Sequence, residues 1–218
     1  MPRSGVRHFA LRLERRVVRS ALGRFAPSAL RTLGAGSAAA VVALFAFAAH
    51  AAEPLPLSEL AKPGRVLMLR HANAPGIGDP PGFKPGDCST QRNLDAVGRA
   101  QAAELGDRLA KAGVARAKVY SSQWCRCLET ARLLKLGPVT ELPALNSFFG
   151  RAQDRDANIA ALRAFLTGLP ADGPPVVLVT HQVTISAFTG QGVASGGGTV
   201  FELNGSGTPR VLGEIRAN

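Results

Sequence analysis

The chain reads RVLMLRHA at residues 65–72. Its apolar part, Val66–Leu69, is short and rich in branched side chains, which is typical of a strand buried on both faces of a sheet. A second run, PVVLVTH at residues 175–181, has the same form and also ends in a histidine. The two runs predict parallel strands, each followed directly by a polar site.

In the rest of the chain, segments with the pattern of a helix alternate with segments with the pattern of a strand. Apolar spacing and Gly or Pro boundaries predict helices over 94–112, 123–135, 154–169 and 183–188, and strands over 117–120, 139–142, 199–203 and 210–215. In the first helix, Val97, Leu105 and Leu109 are expected on the inward face. Strands that alternate with helices of this length predict a three-layer α/β/α sandwich with a mostly parallel central sheet.

Polar residues follow three of the predicted strands. His71, the pair Ser121-Ser122 and His181 each come directly after an apolar run. Ligands of open α/β sheets bind beyond the carboxyl ends of the strands, so these residues are expected to meet at one site. A Pro- and Gly-rich loop over 71–91 lies beside it, and loops of that length are usually functional.

The residue types at this site suit phosphoryl transfer. An imidazole nitrogen can attack phosphorus and form a covalent intermediate, which makes His71 the candidate nucleophile. The oxygens of the transferred group need cations, and the planar guanidinium fork can bind two oxygens at once. Arg70, Arg92 and Arg126 are the candidate cations. His181 is a further candidate for a phosphate contact.

Four motifs together resemble the histidine phosphatase superfamily, the phosphoglycerate mutase-like group. They are Leu69-Arg70-His71-Ala72, Leu94-x-x-x-Gly98-x-x-Gln101-Ala102, Ser121-Ser122 with Arg126 and Thr130-Ala131, and Val179-Thr180-His181. The resemblance implies a phosphoglycerate mutase-like fold over 65–218, a phosphohistidine on His71, and a phosphate pocket of Arg70, Arg126 and His181, with Arg92 added from the loop. It implies no metal and no cofactor.

The sequence departs from the family at the general acid, which normally protonates the leaving oxygen. Ser147 and Gln182 stand where the two branches of the family usually carry their acids. Three explanations stay open: an acid from the loop, with Asp87 preferred to Asp79; a substrate with a good leaving group; or a noncatalytic protein that only binds phosphoryl groups. Asn146 is a candidate substrate contact.

The basic charge is concentrated near the N-terminus. The chain carries 26 Lys and Arg against 15 Asp and Glu, but residues 1–51 hold eight of the arginines and one acid, which leaves a net charge of +4 for the remainder. That distribution, with no basic stripe carrying interleaved aromatics, argues against a nucleic-acid partner.

The same N-terminal region predicts export. An apolar stretch and Ala49-His50-Ala51 follow the arginines, which is typical of a signal peptide over 1–51, followed by a Pro-rich lead-in over 52–64. Cleavage would give a periplasmic or secreted protein; an uncleaved membrane anchor is the alternative. The expected partner is a phosphorylated small molecule or an envelope glycolipid, such as a lipopolysaccharide-core heptose phosphate. The sequence does not indicate the oligomeric state.

The cysteines fit that compartment. Three are present, Cys88, Cys125 and Cys127, and disulfides persist outside the cytoplasm. Cys88 is expected to pair with either Cys125 or Cys127, which would leave one thiol free. The Cys-Arg-Cys spacing is a poor metal motif.

Overall fold

The structure, a computed structural model, describes residues 53–217. The predicted signal peptide lies outside the described residues, as does the first residue of the lead-in. The remainder of the lead-in contains a 3₁₀ turn, Leu57–Ala61. Within 53–217, no helix has both the length and the apolar character that crossing a bilayer requires.

Six strands form one sheet. They are β1 (Arg65–Arg70), β2 (Lys118–Ser121), β3 (Val139–Glu141), β4 (Val176–Thr180), β5 (Gly198–Glu202) and β6 (Arg210–Ile215), in the order β3-β2-β4-β1-β5-β6. The pairs β2·β3, β2·β4 and β1·β4 are parallel, and β5 runs antiparallel to both β1 and β6. The prediction of a mostly parallel α/β sheet is confirmed.

Helices cover both faces of this sheet. They are α1 (Ala96–Lys111), α2 (Cys125–Leu133), α3 (Arg155–Thr167) and α4 (Gln182–Thr189). Alternate residues of β1 point to opposite faces: Leu67 and Leu69 join a core cluster with α1 and α2, whereas Val66 and Met68 join a second cluster with α3 and α4. The helices on both faces therefore follow from the apolar centre of β1 and from β4, which are buried at successive positions.

The inward face of α1 differs from the expectation at one position. Val97 is 65% exposed, whereas Leu105 and Leu109 are buried. Gly98 precedes Leu105 by seven residues, close to two turns of an α-helix, and it occupies the inward face instead. The prediction that Val97 faces inward was wrong because one residue changes the direction of a helical side chain by about 100°.

Candidate active site

The sheet brings three chain segments to one edge. β1 and β2 flank β4, and backbone hydrogen bonds continue just beyond the strands: His71 N–H donates to Thr180 O at 3.0 Å, and Ser122 N–H donates to Val179 O at 2.9 Å. The rings of His71 and His181 consequently lie 5.6 Å apart, centre to centre. The predicted meeting of the polar residues at this edge agrees with the structure.

The His71 ring is buried and its tautomer is fixed. It is 3% exposed, and its Nδ1 lies 2.8 Å from the carbonyl oxygen of Ala72. A carbonyl can only accept, so Nδ1 carries the proton and Nε2 keeps its lone pair. Burial lowers the pKa of His71 to about 3, and the charges of Arg126, Arg92 and Arg70 add to this against the opposing Ala72 bond. His71 is neutral at physiological pH, with Nε2 available as a nucleophile.

The backbone beyond His71 is held by α1 and α2. Ala72 N–H donates to the hydroxyl of Thr130 at 3.0 Å, and Asn73 N–H donates to the side chain of Gln101 at 2.9 Å. A Cβ on Gly98 would lie 2.0 Å from Asn73 O, so only glycine permits this approach. The motif residues Gly98 and Gln101 on α1 and Thr130 on α2 therefore hold the backbone directly beyond His71.

Arg126 is buried against a carboxylate of the loop. Its Nη1 donates to Asp79 Oδ1 at 2.7 Å and its Nη2 donates to Asp79 Oδ2 at 3.2 Å, with side-chain exposures of 3% and 8%. Burial alone would raise the pKa of Asp79, but its bonds with Arg126, Arg92 N–H and Trp124 Nε1 hold that pKa below the usual value. Asp79 is therefore an ionised partner of Arg126.

Two further guanidinium groups flank the histidines. Arg70 Nη1 donates to Val193 O at 3.0 Å and to Gln182 Oε1 at 3.3 Å. Arg92 donates to backbone carbonyls of its own loop, through Nε to Gly78 O at 2.8 Å and through Nη1 to Ala74 O. Neither has a carboxylate partner among these bonds, so both bring net positive charge to the site.

A chain of hydrogen bonds orients His181. Gln123 N–H donates to Asn146 Oδ1 at 2.9 Å, so Asn146 Oδ1 is the acceptor of the Ser122 hydroxyl at 3.2 Å. Ser122 Oγ must then accept from His181 Nε2, which is 2.8 Å away. That leaves His181 Nδ1 as an acceptor for Arg126 Nη2 at 3.4 Å. Burial and the charge of Arg126 lower the pKa of His181 well below its usual value, so this ring is also neutral.

These groups line one cavity of about 180 Å³. His71, His181 and the three arginines all contribute to its surface, together with Asp79 and three apolar side chains, Ile77, Phe149 and Val183. Arg70 Nε and Arg126 Nε are buried and have no hydrogen-bond partner in the described part of the chain. Because three guanidinium groups line the cavity and Asp79 pairs with only one of them, positive charge is in excess there, which suits an anionic ligand.

The family model of the histidine phosphatase superfamily, branch 1, matches residues 66–166, which begin in β1 and end in α3. This stretch of the chain is similar to that superfamily. The match carries the first three of the four motifs, and the fourth, which ends in His181, lies at the same cavity.

Solved structures show the same fold at low sequence identity. A structure called mycobacterial hydrolase 1 is 17% identical, with a TM-score of 0.52 over 72% of this chain and 99% of its own. The protein histidine phosphatase SixA with tungstate is 18% identical, with a TM-score of 0.51 over 70% and 96% of the two chains. A mycobacterial glucosyl-3-phosphoglycerate phosphatase with vanadate is also 18% identical, with a TM-score of 0.51 over 71% and 99%. No curated protein matches the chain significantly.

Two residues predicted for this superfamily site lie elsewhere. Asp87 is exposed and does not line the cavity; its carboxylate accepts from Ser89 N–H at 3.1 Å and caps the 3₁₀ turn Cys88–Thr90. The prediction that Asp87 lies at the site was therefore wrong, because its carboxylate caps the turn that directly follows it. Asn146 also does not line the cavity; it acts behind Ser122 instead of facing a substrate.

The positions of the usual acids are at the cavity but hold no acid. Ser147 and Gln182 both line it. Gln182 accepts from Arg70, and Ser147 Oγ accepts from Phe149 N–H at 3.2 Å. Asp79 is then the carboxylate at the cavity surface. Sequence reasoning named it as an alternative acid and missed its ion pair, for which the sequence contains no local signal.

A disulfide ties the loop to α2. Cys88 is bonded to Cys125, which directly precedes Arg126, and Cys127 is free and buried. Of the two pairings left open by the sequence, the structure selects Cys125. The Cys127 sulfur packs against the ring of His181, 3.4 Å from Nε2, and burial raises the pKa of this thiol to about 12. Cys127 is consequently a packing residue and not a nucleophile.

Proposed function

We propose that this protein hydrolyses a phosphate monoester or related phosphoryl compound through a phosphohistidine on His71, outside the cytoplasm. The observation that carries the proposal is the lone pair on His71 Nε2. It is fixed by the bond of Nδ1 to Ala72 O, inside a cavity that three guanidinium groups make positive. A neutral imidazole with a free lone pair on Nε2, surrounded by guanidinium groups, can attack phosphorus.

The proposed reaction has two steps. In the first, Nε2 forms a bond to phosphorus while the bond to the leaving oxygen breaks, and the leaving group departs with the electron pair. The ring then carries a formal positive charge, which the Ala72 carbonyl stabilises through Nδ1–H. In the second, a water oxygen attacks phosphorus, the N–P bond returns its electrons to Nε2, and the water protons pass to solvent or phosphate. Arg70, Arg92 and Arg126 would contact the phosphoryl oxygens, and His181, whose Nδ1 accepts from Arg126, would orient the Arg126 guanidinium beside them.

The leaving group has no obvious proton donor at this site. Ser147 and Gln182 are not acids, and the pKa of Asp79 is held low by Arg126. We therefore expect compounds with stable leaving groups, such as aryl phosphates, acyl phosphates or phosphoramidates, to react far faster than alkyl phosphates. A steep fall of kcat/KM with rising leaving-group pKa would support this. Equal rates on aryl and alkyl phosphates would mean that a proton donor operates.

The central test traps the intermediate. Purified protein mixed with a ³²P-labelled aryl phosphate and quenched in alkali is expected to carry label on one histidine, located by mass spectrometry. His71→Ala is expected to lose both label and turnover, whereas Val211→Ser, exposed on β6 and away from the cavity, serves as a control that keeps both. Label on any other residue, or turnover retained by His71→Ala, would overturn the intermediate.

The absence of the usual acids favours a second candidate, a noncatalytic phosphoryl-binding protein of the cell envelope. Ser147 and Gln182 at the cavity are the observation behind it. This candidate predicts that inorganic phosphate raises the Tm while no phosphoryl compound is turned over. Turnover that is lost in His71→Ala would reject it.

Location outside the cytoplasm rests on two features. Residues 1–51 have the sequence pattern of a signal peptide, and the Cys88–Cys125 disulfide suits an oxidising compartment. N-terminal sequencing of the protein recovered from the periplasm or medium of its host is expected to begin near Ala52. Recovery of the whole chain, starting at Met1 and with three free thiols, would contradict this location.

A further inference from the structure

Two large apolar side chains at the mouth of the cavity face solvent. Ile77 is 91% exposed and Phe149 is 57% exposed, and both line the cavity that holds His71. Among residues 53–217, the other large hydrophobic residues with comparable exposure are Val97 and Val211, which line neither this cavity nor its neighbouring groove. Single exposed apolar residues are ordinary, but a pair at the entrance to a charged pocket indicates a contact with a ligand.

The position of Phe149 is set by its surroundings. Ser147, at the place of the usual acid, accepts from Phe149 N–H at 3.2 Å. The Phe149 ring lies over Gly78, which has φ +70°; a Cβ there would lie 3.3 Å from Cε1 of the ring. Gly78 thus allows the loop and the ring to meet at close range. The ring is held in place at the entrance even though it is more than half exposed.

A second groove continues from the cavity past this contact. It measures about 310 Å³ and shares Gly78, Asp79, Ser147 and Phe149 with the cavity of His71. Its further walls are mainly apolar or aromatic, with one arginine: Pro80, Pro81, Phe83, Trp124 and Arg151.

The arginine of the groove already has partners. Arg151 forms an ion pair with Asp154 at 3.4 Å, donates to Ser147 O at 3.0 Å, and lies over the Trp124 ring at 5.6 Å. Its charge is therefore compensated, and the groove does not call for a second anionic group on the ligand. The apolar wall of the groove consists of Phe83, Pro80 and Pro81, whereas the Trp124 ring is buried beneath Arg151.

The reaction geometry directs a leaving group toward this groove. In-line displacement places the leaving oxygen on the side of phosphorus opposite to His71 Nε2. His71 is 3% exposed at the bottom of the cavity, so the opposite side is the mouth, where Ile77 and Phe149 lie. A phosphoryl group bound by the arginines would thus present the rest of its substrate to these two side chains.

We propose that Ile77, Phe149 and the adjoining groove form a leaving-group subsite for an apolar body of one or two rings. This inference rests on the proposed function, because it assumes that the arginine-lined cavity takes the phosphoryl group. The substrate class is then a phosphoryl compound that is anionic at one end and apolar at the other.

The test compares two aryl phosphates whose apolar bodies differ in size with a substrate whose leaving group has almost no apolar body. Phenyl phosphate and 1-naphthyl phosphate release phenols of nearly equal acidity, and acetyl phosphate supplies a small leaving group. Phe149→Ser and Ile77→Ser are each expected to lower kcat/KM for 1-naphthyl phosphate by about tenfold, a loss that corresponds to part of one buried apolar side chain. The same variants should change kcat/KM for acetyl phosphate by less than about twofold.

Val211→Ser is the matched control. Val211 is 53% exposed on β6 and does not line the cavity or the groove, so all three substrates should react as with the unaltered protein. Equal losses on every substrate in Phe149→Ser, or no loss on any, would overturn the subsite.

A binding measurement separates this inference from the proposed function. Calorimetry with the unaltered protein should show 1-naphthylphosphonate binding about tenfold tighter than methylphosphonate, with the difference lost in Phe149→Ser. If no compound is turned over but this difference is found, the hydrolytic function fails and the subsite stands. Equal affinity for the two phosphonates overturns the subsite, whatever the turnover.

Discussion

The floor of the cavity, formed by His71, Arg126 and His181, is placed by regular structure, whereas its wall, the loop over 74–92, is placed by side chains. The histidines directly follow neighbouring strands, and Arg126 lies in the first turn of α2. The wall instead depends on the Asp79–Arg126 ion pair, the bonds of Arg92 to loop carbonyls, and the disulfide. The comparison suggests that the floor determines the chemistry and that the wall determines stability and access.

Replacement of Arg126 should give the largest effect. Arg126→Ala removes a cation from the phosphoryl site, and kcat/KM for an aryl phosphate is expected to fall at least about 10³-fold. Arg126→Lys keeps the charge that Asp79 needs but loses the fork, so it should fold normally and still lose most activity. A folded Arg126→Lys protein with unaltered kcat/KM would break the assignment of the chemistry to the floor.

Removal of the disulfide tests the wall. The bond closes a loop with a sequence separation of 37, so Cys88→Ala/Cys125→Ala is expected to lose about 4 kcal/mol of unfolding free energy in urea. Because no floor residue is altered, the kcat on an aryl phosphate should fall much less than in Arg126→Ala. A loss of stability below about 1 kcal/mol would show that the ion pair and the bonds of Arg92 hold the wall without the disulfide.

The pH dependence of the unfolding free energy distinguishes His71 in the floor from Asp79 in the wall. The unfolded chain protonates His71 below about pH 6.5, but the folded protein does so only near pH 3, so acid favours unfolding. Between pH 7 and pH 5 the unfolding free energy should fall by about 2 kcal/mol from this residue. The pKa of Asp79 is also lowered, but from the ordinary carboxyl range, so its contribution is present above its unfolded pKa and is lost only as the pH falls further.

Two variants check this separation in urea unfolding. His71→Asn should remove the His71 share of the dependence between pH 7 and pH 5 and leave the share of His181, whose pKa is also lowered. Asp79→Asn should alter the dependence only below about pH 4. A dependence between pH 7 and pH 5 that persists unchanged in His71→Asn would contradict the low pKa of the buried imidazole.

The smallest expected effect concerns the orientation of His181. Ser122→Ala removes the hydroxyl that accepts from His181 Nε2–H. Loss of this hydrogen bond should cost about 1 kcal/mol, so kcat/KM should fall about fivefold to tenfold. Ser121→Ala is the control: its hydroxyl is equally buried but donates to Ser122 O and does not touch the ring. Equal effects of the two substitutions would mean that the hydrogen-bond chain does not position His181.

The same contrast explains which parts of the molecule could be predicted from the sequence. The centre of β1 and nearly all of β4 are apolar, so their burial and the meeting of His71 with His181 follow from local pattern and sheet geometry. The site residues Arg70, Arg92 and Arg126 also line the cavity as expected. Their catalytic roles stay predictions.

Loop side chains could not be predicted in this way. Asp79 and Asp87 both lie in a Pro- and Gly-rich segment, and nothing local distinguishes the carboxylate that caps a turn from the one that meets Arg126. Asn146 was misplaced for a similar reason, because its partner Ser122 is 24 positions away in the chain. Contacts of this kind depend on how the loops pack, and loop packing cannot be predicted from the pattern of a single sequence.

The cysteine arrangement has a consequence for biogenesis. Cys125 and Cys127 are close neighbours in the chain, so during oxidation either can capture Cys88, and a Cys88–Cys127 bond would pull a fully buried sulfur out of the core. Correct oxidation therefore needs α2 to dock on the sheet before the covalent link closes, or an isomerase to repair the error. We expect Cys127→Ala to raise the yield of correctly linked protein when oxidation is fast.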